Sequence, residues 1–409
     1  MARRECAHSV VDDDFDPHTE DLMMQAQGQP NQPLNVVIAG GGVAGLEAAF
    51  ALQELAGDRV AMTLLSPGDE FVYRPLSIGE PFSAAHAERY RLGPLAAAAG
   101  ADLVHDTLAS VDAHSRVART GDGTELPYDA LVLALGAALQ PIAEHATNVD
   151  DTRMDELLHG LVQDIEGGYV RRLAIVVPAP MPWPFPAYEL ALMASERAWD
   201  MQTQLEVTLL TPERAPLEVF GAQASRAVAH MLSDRRIEVV TSAYCEVPRS
   251  QLVVVHPGGR AVTADRIVAF PQLVGPDVSD LPSDGGGFIP VDEYGRVRGV
   301  ERVWAAGDGT DYPLKYGGVA AQLADTAAAS IAALAGAAQD VAPFSPVLEG
   351  VLMTGGTARY LRYAPAGPGA QGESVFTELA RGAAPPKIAA RYLGPHLSGK
   401  VSAGMGSVV

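Results

Sequence analysis

One segment, residues 35–67, constrains the fold of this chain more than any other. It reads NVVIAGGGVAGLEAAFALQELAGDRVAMTLLSP: an apolar run, a glycine-rich turn, a helix-forming stretch and a second apolar run. Gly40, Gly42 and Gly45 have Gly-x-Gly-x-x-Gly spacing, in which the first glycine makes a tight turn, the second admits a pyrophosphate and the third brings the helix close to the strand. Because strands flank the motif and a helix from about 44 to 55 follows it, the segment predicts a dinucleotide-binding unit.

The start of that helix is the predicted phosphate site, because free backbone N–H groups at a helix N-terminus favour an anion. We therefore place Val43 and Ala44 with the three glycines among the cofactor-binding residues. An acidic residue at the end of the second strand usually holds the adenosine ribose. This chain has Ser66 there, whose hydroxyl offers a weaker contact.

Two later stretches are also apolar strands that end at a glycine. YDALVLALGA, residues 128–137, is an apolar strand that ends in Gly136, where backbone can again approach a ligand. VWAAGD, residues 303–308, is a strand ending in Gly307 and Asp308, and KYGG at 315–318 then opens a long alanine-rich helix.

Composition narrows the class of protein. The formal net charge is −21 and no basic stripe is present, which argues against nucleic acid and anionic membrane surfaces as partners. No run of 18 apolar residues predicts a spanning helix, and residues 1–33 are expected to be a disordered acidic tail rather than a secretion signal, so a cytoplasmic location is expected. The two cysteines, Cys6 and Cys245, form no Cys-x-x-Cys or zinc pattern, and no metal site is expected.

The three motifs together resemble a known group of proteins. AGGGVAGLEAAF, LVLALGA and VWAAGD followed by KYGGVAAQLAD occur in this order over roughly residues 34–340. In this they resemble the FAD-dependent pyridine nucleotide-disulfide oxidoreductase superfamily, notably type II NADH dehydrogenases and sulfide:quinone oxidoreductases. The resemblance implies FAD at the first site, with Asp308 on the ribityl chain. It also implies that the helix starting at Gly317 and Gly318 points at the flavin N1/C2 edge, where a helix N-terminus stabilises negative charge.

Three further side chains are site candidates through this resemblance. Lys315 either adds to the positive field at the flavin or is a solvated surface lysine. Glu189, in the first turn of a helix, either relays protons at flavin N5 or positions a substrate, or is an ordinary first-turn glutamate. Arg74, in FVYRPLSIGEPF (residues 71–82), meets the pyrophosphate or the ring, or forms a surface ion pair with Glu70 or Glu80.

The second half of the chain repeats the strand–helix–strand order of the first half with one change. A strand (171–177), a helix (186–201) and a strand (205–214) follow one another, but the loop between the first two is PAPMPWPFP, residues 178–186. Proline has no N–H and a fixed φ, so this loop cannot lay amides against a pyrophosphate as glycines do. Its aromatic residues line an apolar slot beside the flavin or pack into the interdomain core; Trp183, Phe185 and the following Tyr188 are assigned to the substrate wall.

The predicted fold is α/β, with two Rossmann-like domains and a small C-terminal region. The FAD domain is split between 34–150 and 276–340, and the second Rossmann-like domain, with a degenerate nicotinamide site, spans 151–275. Residues 341–409 form an interface region with a hairpin, packed on the flavin domain or on a dimer mate.

The predicted function is an FAD-dependent oxidoreductase that passes electrons through flavin N5 from an unidentified donor to a quinone, oxygen or protein acceptor. No redox cysteine is expected, because Cys245 follows TSAY in a strand where it is expected to be inert. One alternative is an NAD(P)H dehydrogenase with a non-standard cradle, in which Arg214 pairs with a 2′-phosphate. Another is a flavin-binding sensor without turnover.

Overall fold

The computed structural model describes residues 32–338, 340–366, 372–380 and 386–397. Nearly all of the acidic tail predicted at residues 1–33, with Cys6, lies outside the described residues. So do residues 398–409 of the C-terminal region.

The glycine-rich unit and the segments after it supply the first strands and helices. The predicted helix and second strand of this unit, 44–55 and 60–65, are α1 and β2 below. The strands are β1 (Leu34–Ala39), β2 (Val60–Leu65), β3 (Glu70–Val72), β4 (Arg89–Arg91), β5 (Ala101–Val104), β6 (Leu108–Asp112), β7 (Val117–Thr120), β8 (Glu125–Pro127), β9 (Ala130–Leu133), β10 (Ala138–Gln140) and β11 (Thr147–Asn148). The α-helices are α1 (Val43–Leu55) and α2 (Leu92–Ala98), with 3₁₀ helices at Gly57–Arg59 and Arg74–Phe82.

The remaining elements follow in chain order. The strands are β12 (Arg172–Val176), β13 (Glu206–Leu210), β14 (Glu238–Val240), β15 (Tyr244–Arg249), β16 (Leu252–His256), β17 (Arg260–Thr263), β18 (Arg266–Ala269), β19 (Gln272–Val274), β20 (Val303–Ala305), β21 (Leu348–Leu352), β22 (Arg359–Ala364) and β23 (Glu373–Glu378). The helices are α3 (Met154–Glu166), α4 (Phe185–Asp200), α5 (Gly221–Asp234) and α6 (Gly317–Leu334), with a 3₁₀ helix at Glu218–Phe220.

The first large sheet has five parallel strands in the order β20–β9–β1–β2–β5. Its central strand β1 is buried from Val36 to Ala39, as expected for a strand covered on both faces. Because parallel strands end at the same edge, the residues just beyond β1, β2, β9 and β20 meet there. That edge collects Gly40, Ser66, Ala134 and Ala306.

The second large sheet also has five parallel strands, in the order β11–β18–β12–β13–β14. Helix α4 follows β12, in the place that α1 takes after β1. The two sheets confirm the predicted α/β fold with two Rossmann-like units.

Smaller antiparallel sheets complete the molecule. They are β3–β4, β6–β7–β8, β10–β19, β15–β16–β17 and β21–β22–β23. The hairpin predicted after residue 341 is β21–β22, which turns at Gly355, a glycine with φ of 81°. None of the described helices is long and apolar enough to cross a membrane.

Helices α1 and α6 pack against each other and enclose two carboxyl groups, Glu47 and Asp325. Glu47 is fully buried, and its carboxylate accepts the backbone N–H groups of Tyr392 at 2.8 Å and Leu393 at 2.6 Å. These bonds hold the C-terminal segment, residues 386–397, against α1. Burial, and then the charge of Glu47, raise the pKa of Asp325 to about 8.

This pair gives the fold a dependence on pH. Since the pKa of Asp325 rises from 3.8 to about 8 on folding, the folded state holds a proton that the unfolded state has lost, and the free energy of unfolding falls as pH rises through that range. We expect Asp325→Asn to flatten this fall, measured as Tm between about pH 5 and about pH 8. Asp102→Asn, on the exposed face of β5, should keep the wild-type slope. Identical slopes in wild type and Asp325→Asn would contradict this account.

Candidate functional site

A cavity of about 840 Å³ lies where the edge of the first sheet faces the start of α4. Both Rossmann-like units and the C-terminal segment contribute to its wall. The sequence-predicted residues that line it are Gly40, Gly42, Val43, Ala44, Ser66, Arg74, Gly136, Trp183, Phe185, Glu189, Gly307, Asp308, Lys315 and Gly317. Gly45, Tyr188 and Gly318 are not among its lining residues.

The three glycines of the first turn have different surroundings. A Cβ on Gly40, whose φ is +123°, would lie 2.1 Å from the carbonyl oxygen of Ala134, and one on Gly45 would lie 1.8 Å from the carbonyl oxygen of Gly40. These two glycines are therefore required by close backbone packing. Gly42 caps α1, and a Cβ there would meet no atom within 4 Å. The free space at Gly42 faces the cavity beside the open N–H groups of α1, which is a fitting place for a phosphate.

Gly136 and Gly307 shape the far side of the same edge. Both have positive φ, +70° and +85°, and a Cβ on Gly136 would meet no atom within 4 Å. Asp308 follows Gly307 and lines the cavity. Burial raises the pKa of Asp308 to about 6, although the nearby charge of Lys315 opposes the shift.

Lys315 is buried, so it is not a solvated surface lysine. Its Nζ donates to the carbonyl oxygen of Thr310 and lies 4.1 Å from the ring centroid of Phe288. Burial lowers the pKa of Lys315 to about 8, and the charge of Asp308 acts in the opposite direction. The side chain thus places a cation in the cavity wall beside an aspartate.

Ser66 and Arg74 lie on the first unit's side of the cavity. Ser66 is buried, and its Oγ would lie 2.8 Å from a Cβ on Gly41, so it stands against the glycine turn. Arg74 pairs with Asp151 at 3.4 Å. The alternative of an ion pair with Glu70 or Glu80 is wrong, because Asp151 is the partner in the structure and lies 77 residues away in the chain.

Helix α1 begins after a glycine, whereas helix α4 begins among prolines. Pro184 is the N-cap of α4 and Pro186 lies in its first turn, where it supplies no N–H. The N–H of Ala187 donates to the carbonyl oxygen of Pro184. The side-chain amide of Gln272 also fixes the preceding loop, since it donates to the carbonyl oxygen of Ala179 at 2.8 Å. The start of α4 therefore lacks the amide array that α1 offers.

An aromatic stack forms the wall between the two units. Trp183 lies on Tyr316, the N-cap of α6, with ring centroids 4.1 Å and planes 10° apart, and it also stacks on Phe185 at 5.3 Å. Tyr188 is not part of this wall. It is buried on the side of α4 that faces β13, and its hydroxyl donates to Glu213 at 2.6 Å.

Gly317 and Gly318 have separate roles at the start of α6. A Cβ on Gly317 would lie 2.6 Å from the side chain of Ile388, so the C-terminal segment packs directly on this helix start. A Cβ on Gly318 would lie 2.6 Å from the hydroxyl of Tyr316. Gly318 therefore leaves room for the aromatic stack instead of facing the cavity.

A buried ion pair completes the wall. Glu189 and Lys387 are 2.6 Å apart, with side chains 2% and 5% exposed. The carboxylate also accepts the N–H of Met353, and Nζ of Lys387 also donates to the carbonyl oxygen of Pro75. Burial raises the pKa of Glu189 and lowers that of Lys387. Lys387 was not predicted from the sequence, because its partner lies 198 residues away and no local motif marks it.

The end of β13 is where a second dinucleotide would present its ribose. Glu213 stands there, but it accepts hydrogen bonds from Tyr188 and from Thr211, at 2.6 and 2.9 Å. Burial raises the pKa of Glu213 to about 7. Arg214 pairs with Glu218 at 3.2 Å. The carboxylate thus points into the protein and the guanidinium is engaged by a neighbour.

The sequence profile of one family, described as "Pyridine nucleotide-disulphide oxidoreductase", matches residues 34–176 and 185–332. The two matched ranges leave out residues 177–184, which contain most of the proline-rich loop. The match therefore covers both Rossmann-like units and is interrupted at the loop in which this chain departs from the glycine pattern.

Individual relatives are distant. "Oxidoreductase ptaL" from Pestalotiopsis fici is 22% identical over 307 residues, which cover 68% of this chain and 77% of the relative. "Sulfide-quinone reductase" from Aquifex aeolicus is 26% identical over 261 residues, 60% of each chain. Among solved structures, the sulfide:quinone oxidoreductase from Aquifex aeolicus superimposes with a TM-score of 0.71 at 20% identity, covering 84% of this chain and 87% of that one. At this identity the superposition establishes a shared fold.

The buried pair can be tested for its part in stability. Lys387→Met leaves the Glu189 carboxylate buried without its cation, and we expect a loss of about 3–5 kcal/mol in the free energy of unfolding. The double variant Glu189→Gln/Lys387→Met should recover much of it. Urea denaturation measures both. Arg214→Met, which breaks an exposed pair, serves as the control and should cost less than about 1 kcal/mol. A Lys387→Met variant as stable as this control would refute the assignment.

Proposed function

The chain belongs to the pyridine nucleotide-disulphide oxidoreductase family and is an FAD-dependent oxidoreductase, and we propose that it takes electrons from a donor other than NAD(P)H. The observation that supports this proposal is the contrast between the N-termini of helices α1 and α4. Helix α1 begins at Gly42 with open space before it, whereas α4 begins at Pro184 and Phe185. One dinucleotide site is therefore retained and the other is closed.

The cavity suits FAD along its whole length. Phosphates would lie at Gly42 and the start of α1, and the adenosine end near Ser66. Gly136 and Asp308 would adjoin the ribityl chain, and the N-terminus of α6 at Gly317 the flavin ring. When bound, FAD supplies the two-electron chemistry, and the protein supplies orientation and electrostatics.

The second site argues against a nicotinamide nucleotide at three points. The loop has prolines instead of amide donors, the carboxylate of Glu213 is bonded to Tyr188 and Thr211, and Arg214 is paired with Glu218. The loop thus lacks amide donors and the Glu213 carboxylate is bonded within the protein, whereas Arg214 is held only by an exposed ion pair. The alternative, a non-standard cradle using Arg214, would require that pair to break.

A mechanism without a redox cysteine is supported by the position of Cys245. This residue lies on β15, packs with a cluster of the second unit and does not line the cavity. Burial raises the pKa of its thiol to about 11, which makes it a poor nucleophile. Because Cys245 is the only cysteine among the residues that the structure describes, the donor is proposed to react at the flavin directly and not through a protein disulfide.

The residues around the flavin-ring end of the cavity would stabilise negative charge and hold a proton. The N-terminus of α6 and the Lys315 cation would stabilise negative charge at the flavin N1/C2 edge. Glu189 and Lys387 share a short hydrogen bond at the cavity wall and would hold a proton there. Burial raises the pKa of Glu189 and lowers that of Lys387 and so favours the neutral form of each group.

A quinone is the proposed acceptor. Trp183, Phe185 and Ile388 give the cavity an apolar side that suits a flat, uncharged ring. The Aquifex aeolicus relative carries the name of a quinone reductase, which favours this class over oxygen or a protein acceptor.

The FAD assignment can be tested at Gly42. A leucine there meets no protein atom at its Cβ, so the fold should tolerate it, but its side chain would fill the phosphate space. Overpacking costs about 1–3 kcal/mol, and we expect FAD affinity to fall at least about fivefold. Gly93→Leu, on α2, is the matched control because a Cβ there also meets no atom within 4 Å. Titration of the FAD-free protein with FAD, followed by absorption, measures the affinity, and equal affinities in the Gly42→Leu variant and wild type would reject the site.

Anaerobic mixing tests whether NADH or NADPH donates electrons to the flavin. NADH or NADPH should leave the visible flavin absorption of the wild type unchanged, because neither nucleotide has a cradle, whereas dithionite should bleach it. After dithionite reduction, a short-chain quinone should restore the absorption. Rapid bleaching by either nucleotide would favour the non-standard cradle and contradict this proposal.

A further inference from the structure

The aromatic stack joins the two units at the ring end of the cavity. Trp183 comes from the proline-rich loop of the second unit, and Tyr316 from the start of α6 in the first. Their centroids are 4.1 Å apart and their planes differ by 10°, and Phe185 stacks on the same indole at 5.3 Å and 15°. All three rings line the cavity.

Tyr316 is the fixed member of the stack. Its hydroxyl donates to the carbonyl oxygen of Glu349 and lies 3.4 Å from that of Lys387. The residue is 8% exposed, and a Cβ on Gly318 would contact its ring. Moving Tyr316 would therefore break buried hydrogen bonds, which is costly.

Trp183 is the more exposed member of the stack. It is partly exposed, whereas Tyr316 and Phe185 are buried. It also belongs to a segment, residues 177–184, that has neither helix nor strand. A ligand that needs the place of the indole must displace Trp183 itself.

No flat ring fits between Trp183 and Tyr316. A ring inserted there would need a carbon contact of about 3.5 Å on each face, so the two centroids would have to be about 7 Å apart. They are 4.1 Å apart. The indole thus occupies the surface of Tyr316 on which a planar donor reaching in from the second unit would stack.

We propose that Trp183 determines the class of donor, because its indole excludes dihydronicotinamide rings from the reactive end of the cavity. The inference rests on the proposed function, since it takes FAD to be bound there. The excluded reaction is a hydride transfer: the C4–H bond of the dihydropyridine breaks, two electrons and the hydrogen pass to flavin N5, and the donor leaves as a pyridinium.

The test uses the FAD-loaded protein and 1-benzyl-1,4-dihydronicotinamide, a donor without phosphates that needs no cradle. We expect Trp183→Ala to be reduced at least about tenfold faster than wild type in anaerobic stopped flow, because displacing reacting atoms by an ångström changes rates by about a hundredfold. Trp183→Phe, which keeps a stacked ring, should remain near wild type. Trp199→Ala, which removes an 81% exposed indole, should match wild type.

Flavin fluorescence gives a readout that does not depend on turnover. An indole beside the flavin quenches its fluorescence, so Trp183→Ala should be brighter than wild type and Trp199→Ala should not. If the alanine variant does not fold, Trp183→Leu carries the same two expectations, because it keeps an apolar contact without a ring.

The possible results distinguish the role of Trp183 from the binding of FAD. Equal reduction rates and equal fluorescence in wild type and Trp183→Ala or Trp183→Leu, at full FAD occupancy, would overturn the role of Trp183 and leave the FAD site intact. A protein that takes up no FAD would overturn the proposed function and the inference together.

Discussion

The supply of free backbone N–H groups at a helix start is the constraint on which the rest of this structure depends. Helix α1 presents such groups above Gly42, where no protein atom occupies the space a side chain would fill. Helix α4 stands in the corresponding place of the second unit but begins at Pro184 and Pro186. Two units of the same topology therefore differ in the one property that a diphosphate requires. This local difference in residue type is the basis of our proposal that the first unit binds a dinucleotide and the second does not.

The cavity wall also ties the two units together. Glu189 from α4 is joined to Lys387 from the C-terminal segment, and Trp183 is joined to Tyr316 from the first unit. Since both contacts join segments distant in sequence, they fix the start of α4 against the C-terminal segment and the start of α6. The same contacts bring an ion pair and an apolar face together at one point, and the proposed oxidation of a donor and reduction of a quinone depend on that combination.

Local patterns predicted the parts of this structure that depend on local chemistry. The glycine turn, its helix and its flanking strand follow from spacing and apolar runs, and their bounds agree with the structure within a residue or two. The orientation of Tyr188 could not be predicted, because α4 is buried on nearly all sides and shows no apolar stripe that marks one face. Lys387 and the pairing of Arg74 with Asp151 depend on contacts between distant segments. The burial of Lys315 likewise depends on Phe288, which reaches it from another loop.

A crystal structure of the purified protein soaked with an excess of NADH tests most directly whether the glycine turn, and not the proline-rich loop, binds a dinucleotide. We expect a dinucleotide with its phosphates against residues 40–45, and no ordered nucleotide against residues 178–186. Ordered phosphates of a nicotinamide nucleotide along the proline-rich loop, or an empty cavity at the glycine turn, would contradict this expectation.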